Sequence, residues 1–245
     1  ENVRYDGSLK ASVILKDLAP FVPALSRFEE PLDLNLVFSG HGKHLDCPPL
    51  RLTNHHGLMI AGEAALSNWD AGMDMYIYGK LGNLIMTKEG INVLMTNLTG
   101  KVPPILQRLD YIRFNGEAAG YLHDLTLTGL FYTGAGMVKT DVMMSIDEQS
   151  MSRTYSGSVA SADLDLGKLL NQEKKFGKVD FNVELKGFNY KNRYPESYIK
   201  GIISSFEYSQ YQYENIMLDG VYKDGGFNGR LSICLLYTSD DADEL

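Results

Sequence analysis

LDLNLVFSG, residues 32–40, is the stretch of sequence that decides the fold class. Its apolar side chains stand at every second position, and the run ends at Gly40, before the turn-rich sequence HGKH. Successive side chains of a β-strand point to opposite faces of a sheet, so this alternation places one apolar set on one face. We therefore predict a half-buried strand whose inner side is formed by Leu32, Leu34, Leu36 and Phe38.

The same alternation recurs along the chain, most clearly in residues 138–146 and 180–187. The apolar side chains of one parity are Val138, Val142, Met144 and Ile146 in the first run and Phe181, Val183 and Leu185 in the second. Further runs lie at 73–78, 91–99, 112–114, 124–132, 198–208, 215–221 and 227–233. Period-two patterning is therefore the dominant signal, and strands are the default prediction.

Turn residues separate these runs, since the 24 glycines recur at their ends. Spacing of about 8 to 12 residues between turn signals is typical of all-β folds, and roughly fifteen strands fit. Three interruptions, at 15–28, 103–109 and 163–172, predict short helices that cover the sheet, the last capped by Asp163 and ended by Gly177. We predict an all-β fold: an elongated, curved, antiparallel-rich sheet that forms an open groove. A compact β-sandwich is the alternative left open.

Composition excludes several classes of protein. With 44% hydrophobic and 22% charged residues among 245, the chain is able to bury an apolar face and is not disordered by composition. The net charge of −8 comes without a basic stripe, which argues against a nucleic-acid partner. No window reaches the roughly 18 to 20 apolar residues of a membrane-spanning helix.

The two ends of the sequence carry separate signals. Strand-like sequence follows Glu1 almost at once, so we interpret residues 1–233 as an internal segment of a longer protein. Residues 234–245, CLLYTSDDADEL, resemble one reading frame of a common sequencing-library adapter and are predicted to be a non-native tail. Cys47 is then the only native cysteine, without a disulfide partner, and we expect a small buried hydrophobe.

Side chains suited to metal binding cluster within sixteen residues: His41, His44, Cys47, His55 and His56. Their spacing lacks a zinc-finger pattern, and adjacent histidines of a strand point to opposite faces. We predict a polar turn and a strand edge, with no metal site and no cofactor.

Catalytic motifs are also missing from the sequence. Residues 134–139, GAGMVK, lack the third glycine of a phosphate-binding loop and are interpreted as a β-turn, and no nucleophile elbow or zinc-protease motif occurs. Carboxylate pairs such as Asp163 with Asp165 are interpreted as solvated loop charges. We predict no catalytic residues and no enzymatic activity.

Three segments, in order, resemble landmarks of AsmA/TamB-like proteins, in particular the TamB-type translocation and assembly modules of Bacteroidetes-like envelopes. They are KDLAPFVPALSRFEEPLDLNLVFSGHGKHL (16–45), YSGSVASADLDLGKLLNQEKKFGKVDFNVELKGFN (155–189) and SSFEYSQYQYENIMLDGVYKDGGFNGRLSI (204–233). In the first, the match is carried by Asp17, Leu18, Phe21, Pro23 and Leu25. These motifs are degenerate, so they point to a family better than to a site.

The resemblance implies a taco-like sheet that crosses the periplasm of a double-membraned bacterium. It further implies an inner-membrane anchor and an outer-membrane β-barrel assembly partner, both reached through segments outside residues 1–233. The partners that it implies along the groove are the acyl chains of phospholipids. Exposing such a chain to water costs about 0.8 kcal/mol of free energy for each methylene. The expected function is non-enzymatic lipid transfer between membranes, with a role in outer-membrane assembly.

Ten residues are the candidates for the groove face: Leu32, Leu34, Leu36, Phe38, Val142, Met144, Ile146, Phe181, Val183 and Leu185. An ordinary dry core accounts for the same pattern equally well. The alternative function is a periplasmic or surface carbohydrate-binding β-sandwich, since tyrosines crowd residues 190–222, although Trp69 is the only tryptophan. Shape separates the two functions, because a sandwich needs two packed sheets about 10 Å apart.

Overall fold

The computed structural model describes residues 3–18, 26–147, 149–150, 152–189 and 196–233. Residues 234–245, interpreted above as a non-native tail, lie outside these ranges. So do three of the landmark residues in the first segment of resemblance: Phe21, Pro23 and Leu25.

The described residues form one antiparallel sheet of thirteen strands in which every strand pairs with its sequence neighbours. The strands are β1 (Arg4–Ile14), β2 (Pro31–His41), β3 (His44–Thr53), β4 (Leu58–Ser67), β5 (Tyr76–Thr87), β6 (Tyr111–Tyr121), β7 (Asp124–Thr133), β8 (Gly136–Ile146), β9 (Arg153–Asp165), β10 (Phe176–Asn189), β11 (Glu196–Tyr208), β12 (Tyr211–Lys223) and β13 (Gly226–Ile233). The sheet is open, with β1 and β13 as its edges. The predicted all-β, antiparallel, open architecture is confirmed.

Short helices join some of the strands. These are α1 (Lys88–Thr99), α2 (Pro104–Gln107) and α3 (Leu166–Leu170), with 3-10 turns at Leu15–Leu18 and Gly72–Asp74. The helices α1 and α2 connect β5 to β6, and α3 connects β9 to β10, so all three lie at the same end of the sheet. We call this the helix-capped end.

A buried cluster fills the helix-capped end. It contains Ile91, Leu109, Ile112, Ala135, Leu164, Leu169 and Val179. Ile91 of α1 is 0% exposed and is the one large side chain in the described residues that is buried completely. The amphipathic helices therefore bury their apolar sides on strand ends, as short helices must in order to persist in water.

Two of the three predicted interruptions contain helices, and the remaining one, at 15–28, starts with a 3-10 turn. Residues 103–109 hold α2 and residues 163–172 hold α3, whereas only the turn Leu15–Leu18 is described at the start of 15–28. The predicted cap of the third helix was wrong, because Asp165 and not Asp163 accepts a hydrogen bond from the Lys168 amide, at 2.8 Å. That helix ends at Asn171, which takes the left-handed conformation, before Gly177 is reached.

The prediction of a strand at 91–99 was wrong, because these residues belong to α1. The Thr87 side chain accepts a hydrogen bond from the Gly90 amide, and Gly100 ends the helix with φ of 78°. Both are standard helix boundary signals. The segment folds as a helix despite its local alternation, because the helix buries Ile91 against the sheet.

Candidate functional site: the apolar face of the open sheet

Ladder register shows which side chains share a face, because residues directly opposite each other in antiparallel strands point to the same side. One unbroken row of such partners crosses all thirteen described strands. This central row consists of Leu9, Leu36, Leu50, Gly62, Leu81, Gly116, Gly129, Thr140, Val159, Val183, Gly201, Leu218 and Leu231. None of its members is charged. The side of the sheet that carries it is called the apolar face here.

All ten groove candidates lie on the apolar face. Leu36 and Val183 belong to the central row, in β2 and β10, with seven strands between them in the sheet order. A neighbouring row joins Val142 to Leu185 through Gly157, and the next row places Met144 opposite Tyr155. Strands far apart in sequence thus contribute the predicted side chains to one continuous surface, while their polar neighbours such as Asp33 and Glu184 point to the opposite, polar face.

The apolar face is less exposed than the polar face, although no second sheet covers it in the described part of the chain. Along β2, for example, the positions alternate between exposed and half-buried or buried, with Leu32 only 5% exposed. A flat single layer would expose both faces alike. The difference indicates that the sheet bends toward its apolar face, where side chains shield one another.

Aromatic rings lie across glycines on this face. A Cβ atom added to Gly116 or to its partner Gly129 would meet the ring of Phe114 at 2.6 or 2.5 Å. Phe38 covers Gly7 in the same way, and Phe227 covers the pair Gly220 and Gly229. Rings that occupy the space of missing side chains stabilise strand glycines and leave a shallow apolar surface.

Phe181 belongs to a covered core, and two further candidates, Leu32 and Val183, are also buried, at 5% and 8% exposure. Phe181 packs against the buried cluster at the helix-capped end, together with Val138. The dry-core reading is therefore the better description for Phe181. Met144, by contrast, is 43% exposed on the same face.

The end opposite the helix-capped end carries polar groups on the apolar face. The Tyr5 hydroxyl donates to the His44 carbonyl oxygen at 2.7 Å, and the Tyr155 hydroxyl pairs with that of Ser197. The face therefore changes from a dry apolar core at one end of its strands to hydroxyl-bearing side chains at the other.

The histidines near Cys47 do not converge. The two ring nitrogens of His44 contact Ser67 at 2.7 Å and Asp46 at 2.9 Å, on the polar face, whereas Cys47 lies buried on the apolar face. Burial, and then the nearby Asp46 carboxylate, raise the pKa of the Cys47 thiol, which keeps it protonated and unreactive. Cys47 is thus the small buried hydrophobe that the sequence predicted.

His56 belongs to a separate cluster at the start of α1. Its Nδ1 lies 2.7 Å from Glu89 of that helix, and its Nε2 lies 3.3 Å from Glu30. Among the residues that the structure describes, no three histidine, cysteine or carboxylate side chains are arranged to hold a metal ion.

No family model matches this chain, and neither does any curated protein or solved structure. The relationship to AsmA/TamB-like proteins that the three sequence segments predict therefore stays a prediction. None of the helices in the described ranges is long and apolar enough to cross a membrane.

Sequence reasoning missed the middle of the site. Leu81 and Leu218 of the central row were inside or beside predicted strands but were not singled out, and the glycines of the row were interpreted only as turns. Alternation shows which residues of a single strand share a face. The central row depends in addition on which residues of neighbouring strands lie opposite each other, and the sequence alone does not give that register. A glycine two residues from an aromatic residue, as in Phe114 and Gly116, was the available signal.

Proposed function

We propose that this chain is a non-catalytic lipid-binding segment whose apolar face holds the acyl chains of phospholipids. The observation that carries the proposal is the central row, which runs across thirteen described strands without a charged side chain and without a covering sheet. An acyl chain laid on such a surface gains about 0.8 kcal/mol for each methylene removed from water. A continuous surface matters because an acyl chain that crosses an aqueous gap exposes its methylenes to water and loses this free energy.

The polarity of the two strand ends favours an amphipathic guest over a pure hydrocarbon. The buried cluster with Ile91 closes one end, and the hydroxyl pair of Tyr155 and Ser197 lies at the other. A phospholipid placed with its tails toward the helix-capped end directs its head group to the hydroxyl-bearing end, where hydrogen bonds and water are accessible.

The cellular role in this proposal comes from the sequence resemblance. In this proposal the chain lies in the periplasm as part of an AsmA/TamB-like protein that moves phospholipid between inner and outer membranes and supports outer-membrane assembly. The inner-membrane anchor and the outer-membrane partner belong to other segments in this proposal. A carbohydrate-binding β-sandwich requires two packed sheets, whereas the described strands form one.

Two adjacent methionines provide a matched test of the groove. Met144 points to the apolar face and is 43% exposed, while Met143 points to the polar face and is 45% exposed. A carboxylate at position 144 would have to be desolvated by a bound acyl chain, whereas one at position 143 stays in water. We expect Met144→Glu to weaken phospholipid binding on the order of tenfold and Met143→Glu to leave it unchanged.

Binding is measured with a fluorescent phospholipid titrated into each purified variant, with co-purified phospholipid quantified by mass spectrometry. Circular dichroism establishes that both variants keep the sheet. Equal binding by the two folded variants, or no phospholipid binding by the unaltered chain, would contradict the proposed function.

A further inference from the structure

Two large apolar side chains lie side by side on the polar face. Ile202 of β11 and Met217 of β12 stand directly opposite each other and are 49% and 53% exposed. Both line a depression of about 520 Å³ that polar and charged side chains also line. Single exposed apolar residues are ordinary on protein surfaces, whereas an apolar pair rimmed by polar groups is typical of a contact site.

The row next to this pair is charged at every position on four neighbouring strands. From β10 to β13 it consists of Glu184, Lys200, Asp219 and Arg230. Because the signs alternate, reversing the order of the row exchanges positive for negative at each position. None of the four is held in an ion pair in the described part of the chain, so each charge is able to meet a partner from another surface.

We propose that the polar side of β10 to β13, called the back patch here, packs against the back patch of a second copy of the chain. The twofold axis lies between β11 and β12 and runs parallel to the strands, so the two sheets are aligned face to face. Each contact of such an interface occurs twice. The facing pairs are Glu184 with Arg230, Lys200 with Asp219, and Ile202 with Met217.

The neighbouring rows of the back patch match about the same axis. Tyr198 and Val221 are direct partners in the ladder, so the axis sets Tyr198 of one copy against Val221 of the other and extends the apolar contact. One row further out, the axis sets Glu196 against Lys223, which form an ion pair at 2.9 Å within one copy. Complementarity therefore covers both the centre of the back patch and its charged surroundings.

The apolar pair and the charged row together select this axis. Moving the axis by one strand, to between β10 and β11, keeps Glu184 opposite Lys200 but sets Ile202 against the polar side chain of Asn182. An axis that runs along the charged row sets every charge against its own copy, and like charges that meet at an interface disfavour it.

The back patch is large enough for a specific contact. Four strands span about 19 Å and the 13 residues of β11 or β12 about 43 Å, which gives roughly 800 Å² per copy, the area of a standard interface. The bend toward the apolar face reduces contact at the margins, so we expect a Kd of about 10 µM. Strands that extend the sheet at either edge would not cover this face. The two apolar faces point away from each other and both stay accessible.

Charge reversal tests the facing pairs. Sedimentation equilibrium of the whole chain should show a dimer, and Lys200→Glu or Asp219→Lys alone should weaken it about tenfold, since each places like charges opposite each other twice. The double variant Lys200→Glu/Asp219→Lys restores the opposite-charge pairs and should recover the dimer. Circular dichroism establishes that each variant keeps the sheet. A chain that stays monomeric well above the expected Kd, or a double variant as weak as the single ones, would overturn the proposal.

Two exposed methionines of the polar face test the position of the contact. Met217→Gln removes an apolar side chain from the centre of the back patch and should weaken the dimer about tenfold. Met143→Gln is the control, because Met143 is 45% exposed on the same face but lies on β8, outside the back patch. Equal effects of the two variants would place the contact elsewhere. Neither experiment involves lipid, so its outcome is separate from that of the Met144 test.

Discussion

The helix-capped end and the uncovered remainder of the apolar face differ in exposure, although the same strands build both. At the helix-capped end Ile112 is 8% and Val179 is 4% exposed, whereas Leu9 and Met144 of the uncovered part are 42% and 43% exposed. Strand sequence is similar in the two regions, since each presents apolar residues at alternate positions. Coverage by α1, α2 and α3 is one cause of burial but not the only one, since Val183 and Cys47 are 8% and 7% exposed without belonging to the buried cluster.

The largest expected effect is a loss of stability in the covered region. Ile91→Ala removes a fully buried side chain from the cluster and should lower the free energy of unfolding by about 3 kcal/mol, through lost burial and the cavity left behind. Met144→Ala, on the uncovered part of the same face, should lower it by less than about 1 kcal/mol. Urea unfolding curves of the two variants measure the difference. Similar losses would mean that the two regions are packed alike.

A smaller change in stability is expected when two glycines of the uncovered part are compared. Gly116→Ala places a Cβ atom 2.3 Å from the Thr128 carbonyl oxygen and 2.6 Å from the Phe114 ring, so it should destabilise the sheet by about 1–3 kcal/mol. Gly79, on the same face of β5, has nothing within 4 Å of the same atom. Gly79→Ala should therefore be neutral or stabilise by about 0.5 kcal/mol. Thermal unfolding ranks the variants, and an equal loss in both would show that the close contacts at Gly116 do not determine the cost of a side chain there.

The smallest effect concerns how α1 is held at its start. Hydrogen bonding to Glu89, and then the charges of Glu30 and Glu89, raise the pKa of His56 above its ordinary value of 6.5 against a lowering by burial. A raised folded-state pKa stabilises the fold fully below pH 6.5, and the contribution disappears as pH rises through the raised pKa. We expect unfolding temperature to fall slightly across that window.

The control for this pH dependence is His56→Gln, which cannot be protonated. Its unfolding temperature should lack the decrease, while the unaltered chain shows it in the same buffers. A decrease of equal size in both proteins would assign the effect to another group.

Much of the fold could be predicted from the alternation of apolar and polar residues. The runs at 124–132 and 227–233 lie inside β7 and β13, because a half-buried strand must alternate to bury one side only. Alternation failed at 91–99, where the capping side chain of Thr87 and the left-handed Gly100 carried the correct signal. Boundary residues were therefore more informative than periodicity over this short apolar run.

The candidate site was accessible only in part. Parity within β2, β8 and β10 identified residues that do share one face, since each run keeps its own alternation. Whether a given residue is covered depends on helices that approach from elsewhere in the chain, and Phe181 shows this most clearly. Local patterns do not contain that information. The role of the remaining nine residues in binding lipid stays a prediction.

The central row has a length as well as a composition. Strands lie about 4.8 Å apart, so the part of the chain described here carries an apolar track about 58 Å long, roughly twice the thickness of a bilayer's hydrocarbon core. A lipid bound as proposed would meet uncharged side chains or glycine at each successive strand of the row. Occupancy would then be counted per unit length, with several molecules in file, and movement would proceed in small steps from strand to strand.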